Sequence, residues 1–347
     1  MTRPLSREKY FGVGQVPIGI GAVLKGWDVS EEDYRDASRF PVVDFRAMTS
    51  NCPHNCYHCF TEKRKKTLTL EEIKGVISQI AEIGARGINY LGEGEPTIDK
   101  DFFPIIEYTS SKGLVPVVFT DAATKLRDSD FVIKLKHLGA SVAPKCDSFF
   151  DPDYQNWVVG DKTGKYFRKR NEAIEVLIEE GFNEPSLDGT TRLGYDMVVT
   201  KRNMNEVEKT LRFCRENNMW IGFSWFLPVG RSAKEDFDLS LAVSEEEKQK
   251  VREIIGKVDS EYGFNHPVYS NFGTYPCIEL MQIYGNGNVS LCPGNETIVG
   301  NVRTDKIKDL QQKIYQSRPK RHPSVFDGNC LCRAGVEVIN ITGGDSR

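Results

Sequence analysis

The sequence predicts an α/β protein: a partial (β/α)6 barrel of parallel strands, followed by a small C-terminal α+β domain with clustered cysteines. Three observations lead there. From about Phe40 to Pro228, short apolar runs alternate with amphipathic helical stretches, the mark of βαβ units around a parallel sheet. Six such units fit between residues 40 and 230, short of the eight in a complete barrel. From about Asn271 the chain turns glycine-rich, and four of its nine cysteines gather there. The expected divisions are an N-terminal extension (1–39), the barrel (40–230), a linker with one helix (231–270) and the cysteine-bearing domain (271–347).

The elements follow in order. FPVVDFRA (40–47) reads as the first strand and runs straight into the segment NCPHNCYHCF. TLEEIKGVISQIAEIG (69–84) is a helix whose Ile73, Val76, Ile77, Ile80 and Ile83 share one face. Its start carries a capping box, Thr69 with Glu72 three residues on. GINYLGEGEP (87–96) is a strand ending in a glycine-rich turn, followed by helix 99–112, strand 114–121 and helix 128–138. ASVAPKCD (140–147), helix 168–181, strand 192–200, helix 203–217 and strand 220–229 complete the barrel, with a further helix over 245–258.

Composition bounds the rest. At 347 residues, 39% hydrophobic and 27% charged, the chain can bury a full core. No apolar stretch approaches the ~20 residues of a membrane span. MTRPLSREKYFG lacks the apolar centre of a secretory signal, so the cysteines are expected in a reducing, cytoplasmic setting. There they bind metal more often than they form disulfides. A net charge of −3 gives no global pull toward nucleic acid or an anionic membrane.

Cys52, Cys56 and Cys59 follow the first strand at C-x3-C-x2-C spacing. Three thiolates can hold three corners of an iron–sulfur cube and leave one iron open to a substrate or cofactor. A structural zinc site wants four ligands, and His54 or His58 would supply the fourth. The spacing resembles the cluster loop of the radical S-adenosylmethionine (SAM) enzymes. That resemblance implies a [4Fe-4S] cluster whose open iron chelates SAM, and whose reduction splits SAM to a 5′-deoxyadenosyl radical. The six-unit barrel is that family's usual fold. Gly94-Glu95-Pro96 resembles the family's GGEP segment, which receives the SAM amino group; the usual first glycine is here Glu93. The resemblance places His58 against adenine and Thr120-Asp121 near the ribose, each with a plain loop or turn role as the alternative.

Cys277, Gly287 and Cys292 form C-x9-G-x4-C, and Gly285-Asn286-Gly287 signals a hairpin between the two cysteines. The pattern, with the 296–310 stretch behind it, resembles the SPASM and twitch extensions, which carry auxiliary iron–sulfur clusters. With Cys330 and Cys332 the count is four, which implies one auxiliary [4Fe-4S] cluster; zinc is the alternative. The final pair is C-x-C where the family has C-x2-C.

Cys146, after the fourth strand, is expected to face the barrel mouth, either as a hydrogen-atom donor or as a small buried residue. Lys145, Asp147, Arg192, Tyr195 and Asp196 are candidate substrate contacts by position, and Cys214 is expected to pack in the core. Arg231 lies in a segment resembling one that closes the sixth strand in SPASM relatives, which implies that it contacts SAM, with sealing of the barrel as the alternative. Lys63-Arg64-Lys65-Lys66 reads as a solvated face, or as a docking patch for an acidic electron donor such as flavodoxin or ferredoxin. The resemblance thus implies a radical SAM oxidoreductase that oxidises or rearranges a small molecule with help from an auxiliary cluster. Radical epimerisation or cross-linking of a ribosomal peptide is the alternative, and a non-catalytic zinc-binding module the rival from another class.

Overall fold

The computed structural model describes residues 23–28, 40–186, 189–226, 239–263, 279–292 and 295–317. Strands β1 (Val42–Arg46), β2 (Gly87–Tyr90), β3 (Val115–Thr120) and β4 (Ser141–Pro144) lie side by side and parallel. β5 (Gly194–Val199) and β6 (Trp220–Trp225) form a second parallel pair. Single bridges, Val142 to Leu193 and Lys145 to Asp196, stitch it to β4. Helices α1 (Leu70–Glu82), α2 (Phe102–Ser111) and α3 (Ser129–His137) follow β1, β2 and β3 in turn. The short α4 (Pro152–Val158) and then α5 (Tyr166–Glu179) follow β4, with α6 (Val207–Glu216) after β5 and α7 (Glu245–Glu261) after β6. All six expected strand–helix units are present, their ends moved by a few residues. The capping box at Thr69 forms: its hydroxyl accepts from Glu72 N and Glu72 Oε2 accepts from Thr69 N. The periodicity gave no sign of α4, which is capped by Asp151 and opened by Pro152.

The C-terminal strands do not stand apart from this sheet. β7 (Glu279–Tyr284) pairs parallel with the free side of β1, so the strand order is β4-β3-β2-β1-β7-β8-β9. β7 and β8 (Asn288–Cys292) form the expected hairpin, with Gln282 opposite Ser290 and Ile283 opposite Val289. β9 (Asn295–Asn301) and α8 (Ile307–Ser317) follow, and Ile307 N donates to Gln79 Oε1 of α1 at 3.0 Å. Of the residues set apart in the sequence as a small domain, the strands between 279 and 301 thus extend the barrel sheet. An unpaired β1 would be an exposed parallel edge, and β7 covers it.

Strand alternation divides the apolar residues into two layers. Phe45, Val118, Val142 and Tyr195 face outward and pack beneath the helices with Ile77, Leu177 and Leu211. Val42, Val117, Ala143 and Trp220 face inward around Leu24 and Trp27, whose indole lies 5.2 Å from that of Trp220. The 23–28 segment is held by Thr191 N to Val23 O (3.0 Å) and Ser141 Oγ to Lys25 O (2.7 Å), at the N-terminal ends of the strands. It floors the barrel. Gly26 makes this fit: at φ +97°, a Cβ there would meet Val117 Cγ2 at 2.8 Å.

Candidate active site

The first cysteine loop leaves β1 without regular structure and is pinned from outside. Asn55 N and Tyr57 N donate to Val159 O and Val158 O, at 3.1 and 2.7 Å, at the end of the unanticipated helix α4. Cys52, Cys56 and Cys59 are free thiols, all half-buried. Burial first, then the neighbouring Cys59 and Cys52, push the Cys56 thiol up to about 12. Burial chiefly pushes Cys52 up to about 11. Buried thiols that repel each other as anions need a shared cation to become thiolates, and the irons of a cluster supply that charge. By donor type and spacing, three free thiols in one half-buried loop suit three corners of a cluster.

The turn after β2 seats directly on this loop. Glu95 N donates to Asn51 O at 2.8 Å, and a Cβ on Gly94 would lie 2.0 Å from that oxygen. Pro96 then opens a 3-10 turn, Pro96–Ile98. The buried Glu95 carboxylate accepts from Thr97 N (3.1 Å), Thr97 Oγ1 (2.7 Å), Thr120 Oγ1 (2.6 Å) and Asp121 N (2.7 Å). Thr120 thus binds Glu95, and the turn after β2 is tied to the end of β3. Burial, and secondly the charge of Asp121, push Glu95 up to about 8. Two carboxylates close together in a buried site call for a cation.

Both loop histidines turn to carboxylates of the barrel. His54 Nε2 lies 2.8 Å from Asp121 Oδ2, and its ring meets Tyr166 edge-on at 4.8 Å. His58 is buried, with Nε2 3.5 Å from Asp147 Oδ1. Asp147 also receives Lys145 Nζ at 3.1 Å, and Lys145 reaches Asp196 at 3.3 Å. Burial alone would raise Asp147, but Lys145 and His58 outweigh it and hold the carboxyl well below its usual range. His58, Asp147, Lys145 and Asp196 thus link the cysteine loop to β4 and β5.

Cys146 departs from expectation. Lys145 points inward to Asp196, so the next residue points outward: Cys146 is fully buried in the helix-covered layer, not at the mouth. Burial pushes its thiol up to about 12. Cys214 packs in the same layer, as expected, and so does Tyr195.

Several site residues had no motif to announce them. Glu93, where the resembled family has glycine, is buried, and its carboxylate accepts from Arg64 N at 2.9 Å. Arg64 Nη1 lies 3.4 Å and Arg46 Nη1 3.9 Å from Glu93 Oε1. The Arg46 guanidinium stands 4.4 Å from the Phe60 ring and 5.7 Å from Tyr284 of β7. Deeper in the barrel, Asn89 donates to Asp44 Oδ1 (2.8 Å) and accepts from Trp27 Nε1 (2.7 Å). Gln282 of β7 stands level with Asp44 on the inner wall; Asp44 Oδ2 and both Gln282 amide atoms are buried without a hydrogen bond. A charged residue in the middle of an apolar strand was the available signal for Asp44.

The basic run is partly consumed inside the fold. Lys66 binds Asp99 and Asp101 at 3.0 and 3.1 Å, and Arg64 binds Glu93 and Glu62. Arg231, Cys277, Cys330 and Cys332 lie outside the described residues. Cys292 ends β8, with its side chain outside the described part. Among the described residues no helix is long and apolar enough to cross a membrane.

Residues 47–214 match the Radical SAM superfamily. The GTP 3′,8-cyclase of Marinobacter nauticus is 24% identical over 332 residues, 86% of this chain and 94% of that protein. The PqqA peptide cyclase of Bradyrhizobium diazoefficiens is 33% identical over 92 residues, 25% of this chain and 24% of that protein. Among solved structures, SuiB of Streptococcus suis bound to precursor peptide SuiA matches at a TM-score of 0.60 and 14% identity, over 84% of this chain and 66% of that one. Residues 47–214 thus form a radical SAM domain, and that family implies a [4Fe-4S] cluster and SAM as cofactors.

Proposed function

We propose that this enzyme uses SAM radical chemistry to oxidise or rearrange a polar small molecule held at the barrel mouth. The observation that carries the reading is the contact between cysteine loop and GEP turn, where Gly94 and Glu95 close onto Asn51. Cys52, Cys56 and Cys59 would hold the cluster, while Glu95, the Gly94–Pro96 backbone and Asp121 receive the SAM amino group. When bound, these cofactors supply a 5′-deoxyadenosyl radical that takes a hydrogen atom from an unactivated C–H bond. The protein's part is to place that bond and exclude water. Thr120 aims Glu95, His54 fixes Asp121, and His58 holds the loop to Asp147.

Two facts support a small molecule over a peptide. The relative that aligns along most of its length is by name a GTP cyclase, whereas the peptide cyclase aligns over a quarter. The inner wall also carries Asp44, Asn89, Lys145 and Asp196, a polar lining whose members pair with one another and would suit a polar ligand. The fold likeness to peptide-bound SuiB favours peptide modification as the second reading. Cys146 lends no support to its epimerase form, being sealed in the outer layer. Cys277, Cys292, Cys330 and Cys332 are assigned to one auxiliary cluster of twitch type, an electron acceptor for the substrate radical. Flavodoxin or ferredoxin in the cytoplasm is the assigned electron donor.

The test is 5′-deoxyadenosine release by anaerobically reconstituted protein given SAM and a strong reductant. Release is expected, and its loss in a Cys52/Cys56/Cys59→Ala control. No release from protein with an intact, reducible cluster would overturn the reading. A small-molecule product, two hydrogens lighter if oxidised or isomeric if rearranged, separates the first reading from the second.

A further inference from the structure

Thr61 stands two residues past the last cysteine of the loop, with its side chain buried. Its hydroxyl lies 3.5 Å from Cys59 Sγ and donates to Glu93 O at 3.0 Å. Glu93 is itself fixed, because Arg64 N donates to its carboxylate. The hydroxyl is therefore set against the sulfur by the backbone carbonyl of a residue whose own side chain is anchored. We infer that Thr61 is a positioning residue that raises the reduction potential of the cluster by hydrogen bonding to the Cys59 sulfur. This rests on the cluster assignment in the proposed function.

The argument follows the protons. With Cys59 as a thiol, its S–H donates to Thr61 Oγ1 while the Thr61 hydroxyl donates to Glu93 O. Cys59 must lose its proton to become a ligand, and its sulfur is then only an acceptor. The Thr61 proton is then shared between that sulfur and the Glu93 carbonyl. An electron added to a cluster increases the negative charge on its sulfurs, so a donor there favours the reduced form. Hydrogen bonds to the sulfurs are among the levers that set cluster potential. Burial of Thr61 keeps water from replacing the lost donor.

The experiment is a redox titration of anaerobically reconstituted protein without SAM, followed by electron paramagnetic resonance. Wild type, Thr61→Val and Thr61→Ser are compared at measured iron and sulfide content. Thr61→Val is expected to titrate at a more negative potential with full cluster content, and Thr61→Ser to coincide with wild type. Should Thr61→Val assemble no cluster, Thr61→Ala is titrated in its place under the same criterion. A loaded variant lacking the hydroxyl that titrates with wild type overturns the inference and leaves the cluster standing. A wild-type chain that takes up no reducible [4Fe-4S] cluster overturns the functional reading, and this inference with it.

Discussion

Gly94 has room for a hydrogen and nothing larger, because its neighbour across the gap is a backbone oxygen that cannot swing aside. Gly94→Ala is expected to push the GEP turn off the cysteine loop at an overpacking cost of about 1–3 kcal/mol. Iron and sulfide per chain should fall below wild type, and SAM binding with them. An unchanged iron count would mean that the two segments move independently. Asp44 gives a prediction of another kind. Burial pushes it up to about 6, against the opposing pull of Asn89 and then Arg46. The folded-state value exceeds the unfolded one, so this carboxyl costs nothing below about pH 4 and weighs against folding as pH rises through 6. Asp44→Asn keeps the oxygen that accepts from Asn89. It should be more stable than wild type by about 3 kcal/mol at pH 7, with the gain vanishing toward pH 4. Denaturant midpoints at the two pH values measure it.

At the scale of elements, local sequence logic located what local physics controls. The capping box places the start of α1 within a residue, and Thr69→Ala should cost about 1 kcal/mol in a denaturation midpoint. The cysteine loop and GEP turn were legible because each is contiguous in sequence. Helix α4 was missed because seven residues are too few to show a period, yet it pins the cysteine loop through Val158 and Val159. Cys146 was misplaced because the whole strand end was expected to face the mouth. Alternate residues of a strand cannot do so, and Lys145 holds the inward position. The pairings of Arg46 and Arg64 with Glu93, and of His54 with Asp121, join residues 29 to 67 positions apart. No spacing rule reports such pairs.

At the scale of the molecule, the sheet is continuous from β4 to β9, and Tyr284 of β7 faces the two arginines that hold Glu93. The C-terminal strands thus help shape the wall behind the cysteine loop. The barrel floor is separate from that wall. Trp27→Ala, which empties the space against Trp220 and frees Asn89 Oδ1, should cost about 3–5 kcal/mol. It should leave iron uptake per folded chain unchanged, since the floor lies at the opposite end of the strands; a parallel loss of iron would contradict that independence. The floor also has a kinetic meaning. A tube lets one molecule leave as another enters from behind, but a cup has a single doorway. With Trp27 and Trp220 packed in a tilted pair across the base, the described residues leave no way out at the N-terminal strand ends, so traffic along the strands passes the mouth in both directions, and whatever enters last stands in the way of what entered first. Such a cup imposes a queue, so departure is expected to follow a fixed order, with the outermost product lost before the innermost can go.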